Sequence, residues 1–299
     1  MKIDEFATII RKLVEEELDE GYEVHETTAI KNNGVKYTGL LIRAEGDTIS
    51  PTIYLEKFLA DYEAGKIKLI DAAREIIKVY ESSKIEKPFK VSGITNFEEC
   101  KGKIFYKLIN AEMNKELLKT APHKIVCEDL AIVFYIKVSI DKNGMSSALV
   151  NNDLMKIWGI SDEELYEIAV VNTPNLFKER ILDLQEMLAS MMMHTEAQDV
   201  KSFDKNSMYV CTNVNKCNGA GVIFYKDFLK NISEKVGTDL YIIPSSIHEV
   251  IIVPVNDKID SEMLKSMVPE VNETEVTVTE VLSNHLYLYK KTESTIIFA

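Results

Sequence analysis

Apolar residues Phe6, Ile9, Ile10, Leu13, Val14 and Leu18 recur at helical spacing and predict an amphipathic helix over residues 4–18, ended by Gly21. The pattern then changes to strand-like runs over 22–30 and 35–43. They are joined by Asn32-Asn33-Gly34, a sequence that supplies the positive φ angles of a tight hairpin turn. A third strand is expected over 48–55 after Gly46-Asp47, with Pro51 at an edge or bulge. A helix pair follows, its second member burying Leu69, Ala72, Ala73, Ile76, Ile77 and Tyr80. Residues 82–93 are polar and basic, hold Pro88, and read as a linker.

From Thr95 the same vocabulary returns. Thr95 with Glu98, and Ser161 with Glu164, have capping-box spacing. Strands are expected over 103–109, 130–139 and 145–150, the last two joined by the hairpin signal Asp141-Lys142-Asn143-Gly144. Helices are expected up to Trp158, from Asp162, and over 177–192, and the polar stretch 195–206 reads as a second linker. The final part predicts strands 207–213 and 220–225 with a turn at Asn218-Gly219, and then a helix over 226–236. Strands over 240–244 and 249–254, a helix from Asp260, a short one capped by Thr277 and Glu280, and a returning strand within 286–298 complete it. Residues 131–159 and 207–233 both read as hairpin followed by helix, so duplication of a β-β-α unit and coincidence both stay open.

Hairpins alternating with helices predict an α+β fold, with antiparallel sheets covered by helices. Two to three packed units are expected, over 1–85, 94–194 and 207–299, because 299 residues exceed what one core comfortably serves. A hydrophobic share of 46% is enough to build such cores.

Charge narrows the partners. With 35 basic and 48 acidic side chains the formal charge is -13, which repels phosphate backbones, so direct nucleic-acid binding is not expected. The best basic run, 84–90, is diluted by Glu86 and lacks interleaved aromatics, and it reads as solvated linker. The N-terminal residues carry acids where a secretory leader needs an apolar core, and no run approaches a membrane span, so the expected location is cytoplasmic. Cys100, Cys127, Cys211 and Cys217 have neither zinc nor C-x-x-C spacing and suit a reducing compartment. The sequence has no Gly-rich phosphate loop of either common class and no paired-histidine motif, so neither cofactor nor metal is expected.

The one segment with the ingredients of acyl transfer is Ser245-Ser246-Ile247-His248-Glu249: hydroxyl, imidazole and carboxylate. Against that reading, an extended segment puts Ser246 and His248 on one face and Glu249 on the other, and no G-x-S-x-G elbow accompanies them. As plain structure, Pro244-Ser245-Ser246 is a turn and His248 opens the next strand. Glu15 to Glu17 read as the wet face of the first helix. Met187, Met191 to Met193 and Trp158 read as core, and the Ser50–Glu56 and Asn172–Asn175 stretches as element boundaries.

Several stretches carry a family resemblance: KNNGVKYTGLLIR, ISPTIYLE, KLINAEMNKELL, DLAIVFYIKV, WGISDEELYEIAVVNTPNLF, TNVNKCNGAGVIFY, DLYIIPSSIHEVIIVP, and VNETEV with EVLS. In order, from residue 31 to about 283, they resemble a family of uncharacterised cytosolic proteins of clostridial and related gut bacteria, a domain of unknown function. The resemblance implies a complete member rather than a fragment, and no activity. Ala111 stands where an aromatic would be expected after Asn110. The leading expectation is a non-enzymatic cytosolic binding or regulatory protein with an unspecified protein or small-molecule partner. A serine-type hydrolase using Ser245 or Ser246 with His248 is the alternative, and an acidic mimic of nucleic acid the second.

Overall fold

The computed structural model describes residues 1–44, 50–83, 92–141 and 144–299. The basic run 84–90, the Gly46-Asp47 turn and the Lys142-Asn143 step of the second hairpin lie outside the described residues. Helices and antiparallel sheets alternate along the chain, an α+β fold, and the chain forms two compact units. One comprises Met1–Lys31 with Val35–Gly93, the other Asn32–Gly34 with Ile94–Ala299.

In the first unit helix α1 (Ile3–Glu17) buries Phe6, Ile10 and Val14 of the predicted stripe together with Ala7, while Leu13 and Leu18 pack at its margin and Ile9 is exposed. Strands β1 (Tyr22–Ile30) and β2 (Lys36–Ala44) pair antiparallel from Tyr22↔Ala44 to Ile30↔Lys36. The turn between them holds Asn33 at φ 61 and Gly34 at φ 70, the left-handed region that an Asn-Gly pair enters at little steric cost. β3 (Thr52–Tyr54) completes a sheet in the order β1-β2-β3. Helices α2 (Glu56–Glu63) and α3 (Leu69–Ser83) follow. Ala72, Ala73, Ile76 and Tyr80 of α3 join Leu40, Ile42, Ile53 and Leu55 in the core.

Helix α4 (Ser92–Thr95) spans the division after Gly93, and α5 (Phe97–Cys100) follows in the second unit. The expected Thr95 cap is replaced by Asn96, whose carboxamide accepts the Glu98 N–H. β4 (Ile104–Asn110), α6 (Lys115–Leu118), β5 (His123–Cys127), β6 (Leu130–Asp141) and β7 (Gly144–Leu149) come next. β4 pairs along one side of β6, while β5 and β7 pair with its first and second parts.

Helices α7 (Asn152–Trp158) and α8 (Asp162–Leu176) are capped by Asn151 and Ser161, each side chain accepting a main-chain N–H. Asn172 to Asn175 is helix rather than boundary. The Thr173 hydroxyl donates to the Ala169 carbonyl at 2.6 Å, while Pro174 has no N–H to contribute to the helix. Trp158 is buried and donates to the Ile94 carbonyl.

The expected helix over 177–192 divides into strand β8 (Glu179–Asp183) and helix α9 (Leu184–Met192). Asp183 is the helix cap, accepting from the N–H groups of Gln185 and Glu186. Pairing with β9 (Tyr209–Asn213) outweighs helix propensity in residues 179–183. Met191, Met192 and Met193 are 64%, 85% and 73% exposed, so they are not core residues as expected; the last turn of α9 projects into solvent.

The expected strand 220–225 is also corrected. Gly219–Phe224 forms a 3-10 helix with Gly219 to Ile223 all buried, so no hairpin precedes helix α10 (Phe228–Val236), and residues 207–233 do not repeat the β-β-α pattern of 131–159. A run of small and apolar residues buried all round has no strand alternation to obey. β10 (Leu240–Ile243), β11 (Val250–Pro254), α11 (Ser261–Thr274), β12 (Tyr287–Lys290) and β13 (Thr295–Phe298) complete the unit; Thr277 and Glu280 form a hydrogen-bonded turn rather than a capped helix. The six-stranded sheet runs β13-β12-β10-β11-β9-β8. A continuous core from Cys100 to Tyr289 includes Ile104, Phe134, Trp158, Cys211 and Ile232, so stretches 94–194 and 207–299 both contribute to it.

Candidate functional site

β9 ends at Asn213, which is buried, and its carboxamide shapes the loop that follows. Nδ2 donates to the Cys217 carbonyl at 2.9 Å, while Oδ1 accepts from the N–H of Asn215 at 3.0 Å and of Cys217 at 3.5 Å. Lys216 and Asn218 both adopt left-handed backbone angles, φ 52 in each, so the chain reverses tightly on either side of Cys217. Gly219 follows because nothing larger fits. A Cβ there would lie 2.2 Å from Thr212 Oγ1, 2.6 Å from the His248 carbonyl oxygen and 2.7 Å from the Asn213 nitrogen.

That close approach brings the loop onto the segment entering β11. The Thr212 hydroxyl donates to the His248 carbonyl at 2.8 Å, and the Ala220 N–H to the Ile247 carbonyl at 3.2 Å. The Asn218 N–H donates to His248 Nδ1 at 3.0 Å, and Asn218 Nδ2 donates to Cys217 Sγ at 3.1 Å. On the ring's other side Nε2 lies 3.4 Å from Glu280 Oε1. Glu280 is held by its own main chain, its carbonyl accepting the Ile247 N–H at 2.8 Å.

Electrostatics favour charge separation within this group. Hydrogen bonding to His248, aided by the charges of that ring and of Lys107, draws the Cys217 thiol below the ordinary thiol range against the opposing effect of burial. His248 is raised, first by its bond to Cys217 and then by Glu280, again against burial. The other three cysteines are buried, and burial pushes Cys100 and Cys211 up and Cys127 up to about 12. With an amide N–H on Nδ1, the neutral imidazole keeps its hydrogen on Nε2, toward Glu280, and its basic atom faces the Cys217–Asn218 turn.

The residues singled out by sequence go to different places. His248 is at the centre of the group. The Ser246 hydroxyl accepts the His248 main-chain N–H at 3.0 Å, and the Ser246 N–H donates to the Glu249 carbonyl. The Ser245 N–H donates to the Ile243 carbonyl. Glu249 lines a cavity of about 460 Å³ with Arg180, Leu182, Met187 and Lys216, and burial raises its carboxyl. The contacts of the His248 ring are instead with Asn218 and Glu280, and Asn218 in turn reaches Cys217; none of the three was singled out as a site residue from sequence. Its one available signal was an unpaired cysteine together with a histidine elsewhere in the chain. Among the described residues no cluster of three histidine, cysteine or acidic side chains could hold a metal ion, and no helix is long and apolar enough to cross a membrane.

A second serine, histidine and carboxylate meet at Asp129. Oδ2 accepts from Ser283 Oγ at 2.8 Å and from Asn110 Nδ2 at 2.9 Å, Oδ1 accepts from the Tyr287 hydroxyl, and His285 Nδ1 is 3.5 Å from Oδ2. Ser283 is fully buried and its hydroxyl donates a hydrogen bond to the carboxylate, so this cluster fastens β12 and the loop before it to the β5–β6 turn.

The model of a family of unknown function, DUF5688, matches residues 3–291, and the chain belongs to that family. No curated protein and no solved structure matches the chain.

Proposed function

We propose that the protein acts through a nucleophilic thiol, with Cys217 as nucleophile, His248 as proton acceptor and donor, and Glu280 as the carboxylate that orients the ring. The observation that carries this reading is how Asn218 joins thiol and imidazole: its N–H lies on His248 Nδ1 at 3.0 Å and its Nδ2 on Cys217 Sγ at 3.1 Å, with the imidazole's far nitrogen 3.4 Å from a Glu280 carboxylate oxygen. A thiolate is the reactive form of cysteine, and an adjacent imidazole generates it at neutral pH. Nδ1 takes the thiol proton, exchanging its Asn218 N–H contact for one with the thiolate. Glu280 then faces the Nε2–H of a cationic ring and favours that charge. The site is open to solvent, His248 being 30% exposed in its side chain.

The serine alternative keeps the same histidine but asks Ser246 or Ser245 to approach its ring. The non-enzymatic reading makes Cys217, His248 and Glu280 a ligand surface. A bacterial, cytoplasmic setting of the clostridial kind goes with all three readings, and its cytoplasmic part is supported by the acidic balance and by four cysteines that form no disulfide.

Alkylation by iodoacetamide across pH, with peptide mapping, separates them. The thiol reading expects Cys217 to be modified first and at a pH where an ordinary thiol is protonated. It expects His248→Gln to move that profile up toward an ordinary thiol, and Ser246→Ala to leave it in place. A wild-type profile matching a free thiol, unmoved by His248→Gln, refutes it.

A further inference from the structure

Thiolates attack carbonyl carbon, disulfide sulfur or alkyl carbon, and the groups around Cys217 differ in their fit to these. Disulfide exchange resolved within the chain needs a second presented thiol, and the other three cysteines are buried. Attack on a carbonyl needs something else: a hydrogen-bond donor beside the sulfur, where negative charge forms on the oxygen of the carbon being bonded. Asn218 supplies that donor.

We infer that the substrates are acyl compounds (esters, thioesters or amides) and that Asn218 is a catalytic residue whose carboxamide stabilises the oxyanion formed at Cys217; this rests on the thiol reading above. Its Nδ2 lies 3.1 Å from Sγ. The oxyanion forms two bonds from the sulfur, on the same side of the site as that N–H. The donor is also anchored. The Asn218 backbone is left-handed, at φ 52 and ψ 33, its N–H is tied to His248 Nδ1, and Gly219 behind it is wedged against Thr212, Asn213 and His248. One residue thus touches the sulfur and the proton acceptor together, and the carboxamide already lies beside the sulfur when the His248 contact is exchanged.

The chemistry closes. The Cys217 sulfur forms a bond to the carbonyl carbon as the thiol proton passes to His248. The carbonyl π electrons move to oxygen, opposite the Asn218 N–H. Collapse restores the carbonyl and expels the alcohol, thiol or amine, which takes the proton from His248. Water, deprotonated by His248, then cleaves the thioester and returns the thiol.

The test compares two reactions of the full chain at the same sulfur. Acylation by p-nitrophenyl acetate, read as nitrophenolate release and an acetyl adduct on Cys217, passes through an oxyanion. Alkylation by iodoacetamide does not. Asn218→Gly keeps the left-handed backbone and the N–H to His248 and removes the carboxamide. It is expected to lower acylation ~10²–10³-fold while alkylation, compared at a pH where the thiol is fully ionised, is retained. Asn218→Asp, similar in shape but unable to donate, is the second variant should the glycine destabilise the loop. It is expected to lose acylation and to raise the pH needed for alkylation.

Parallel loss of both reactions in Asn218→Gly makes the residue merely structural and overturns the inference. So does acylation that persists in both variants. A wild type that alkylates early in pH but is not acylated overturns the acyl inference and leaves the thiol reading standing. A wild type that does neither overturns both.

Discussion

Replacing Gly219 with alanine introduces one methyl group where there is no room for it. The added Cβ would sit 2.2 Å from Thr212 Oγ1, 2.6 Å from the His248 carbonyl oxygen and 2.7 Å from the Asn213 nitrogen. Two of these three atoms are backbone, belonging to the end of β9 and the entrance to β11, which pair at Cys211↔Val250. They cannot swing aside as a side chain would, so the strands' ends must part. Overpacking of this kind costs about 1–3 kcal/mol. Displacing the Thr212 hydroxyl from the His248 carbonyl, now 2.8 Å away, adds about 1 kcal/mol. The sum is about 2–4 kcal/mol, a fall in Tm of about 4–16 °C for a unit of this size.

Urea unfolding followed by tryptophan fluorescence measures this directly, because the single tryptophan, Trp158, is buried in the same core. Gly102→Ala is the control, since a Cβ there meets nothing within 4 Å. Thr212→Ala added to Gly219→Ala removes the shortest contact but leaves both backbone ones, so rescue beyond about 1 kcal/mol is not expected. A Gly219→Ala protein within about 0.5 kcal/mol of wild type, the ordinary range for a harmless substitution, would refute the steric account. Such a protein would also show that the loop–strand contact aligning Asn218 with His248 is not tightly set.

Other outcomes follow from the same contacts. Truncating Asn213 to alanine strands the Asn215 and Cys217 amide groups and should cost ~2–3 kcal/mol, with slower alkylation of Cys217 in the same protein. Asp129→Ala leaves Ser283, Asn110 and Tyr287 without their shared acceptor. A loss of roughly 3–5 kcal/mol in urea unfolding is expected, and a loss under about 1 kcal/mol would show the cluster to be dispensable. With Cys217 drawn down and His248 raised, acyl transfer should rise with pH as the thiol ionises and fall as the imidazolium is lost; the rising limb should lie below that of an ordinary thiol. His248→Gln should abolish the bell and reduce turnover ~10²–10⁴-fold. Ellman titration of the native protein should find one fast thiol, with Cys100, Cys127 and Cys211 reacting only on unfolding, since all three are buried and burial raises each.

Most elements were legible in the residues because the signals that mark them are local. The stripe from Phe6 to Val14, the Asn33-Gly34 turn, the Ser161 cap and the Asp260 cap each act within a few residues, and all appear in the structure. Local signals failed where distant partners decide. Residues 179–183 are strand because β9 pairs with them, and 219–224 are a buried 3-10 helix because packing surrounds them on every side. The site shows the same limit. His248 stood out in sequence beside Ser246, its neighbour along the chain. The groups gathered around its ring, Cys217, Asn218 and Glu280, lie about thirty residues away on either side. No periodicity or spacing rule spans such gaps. What joins them is the antiparallel alignment of β9 with β11 and the missing side chain at Gly219, which lets one loop press against the other.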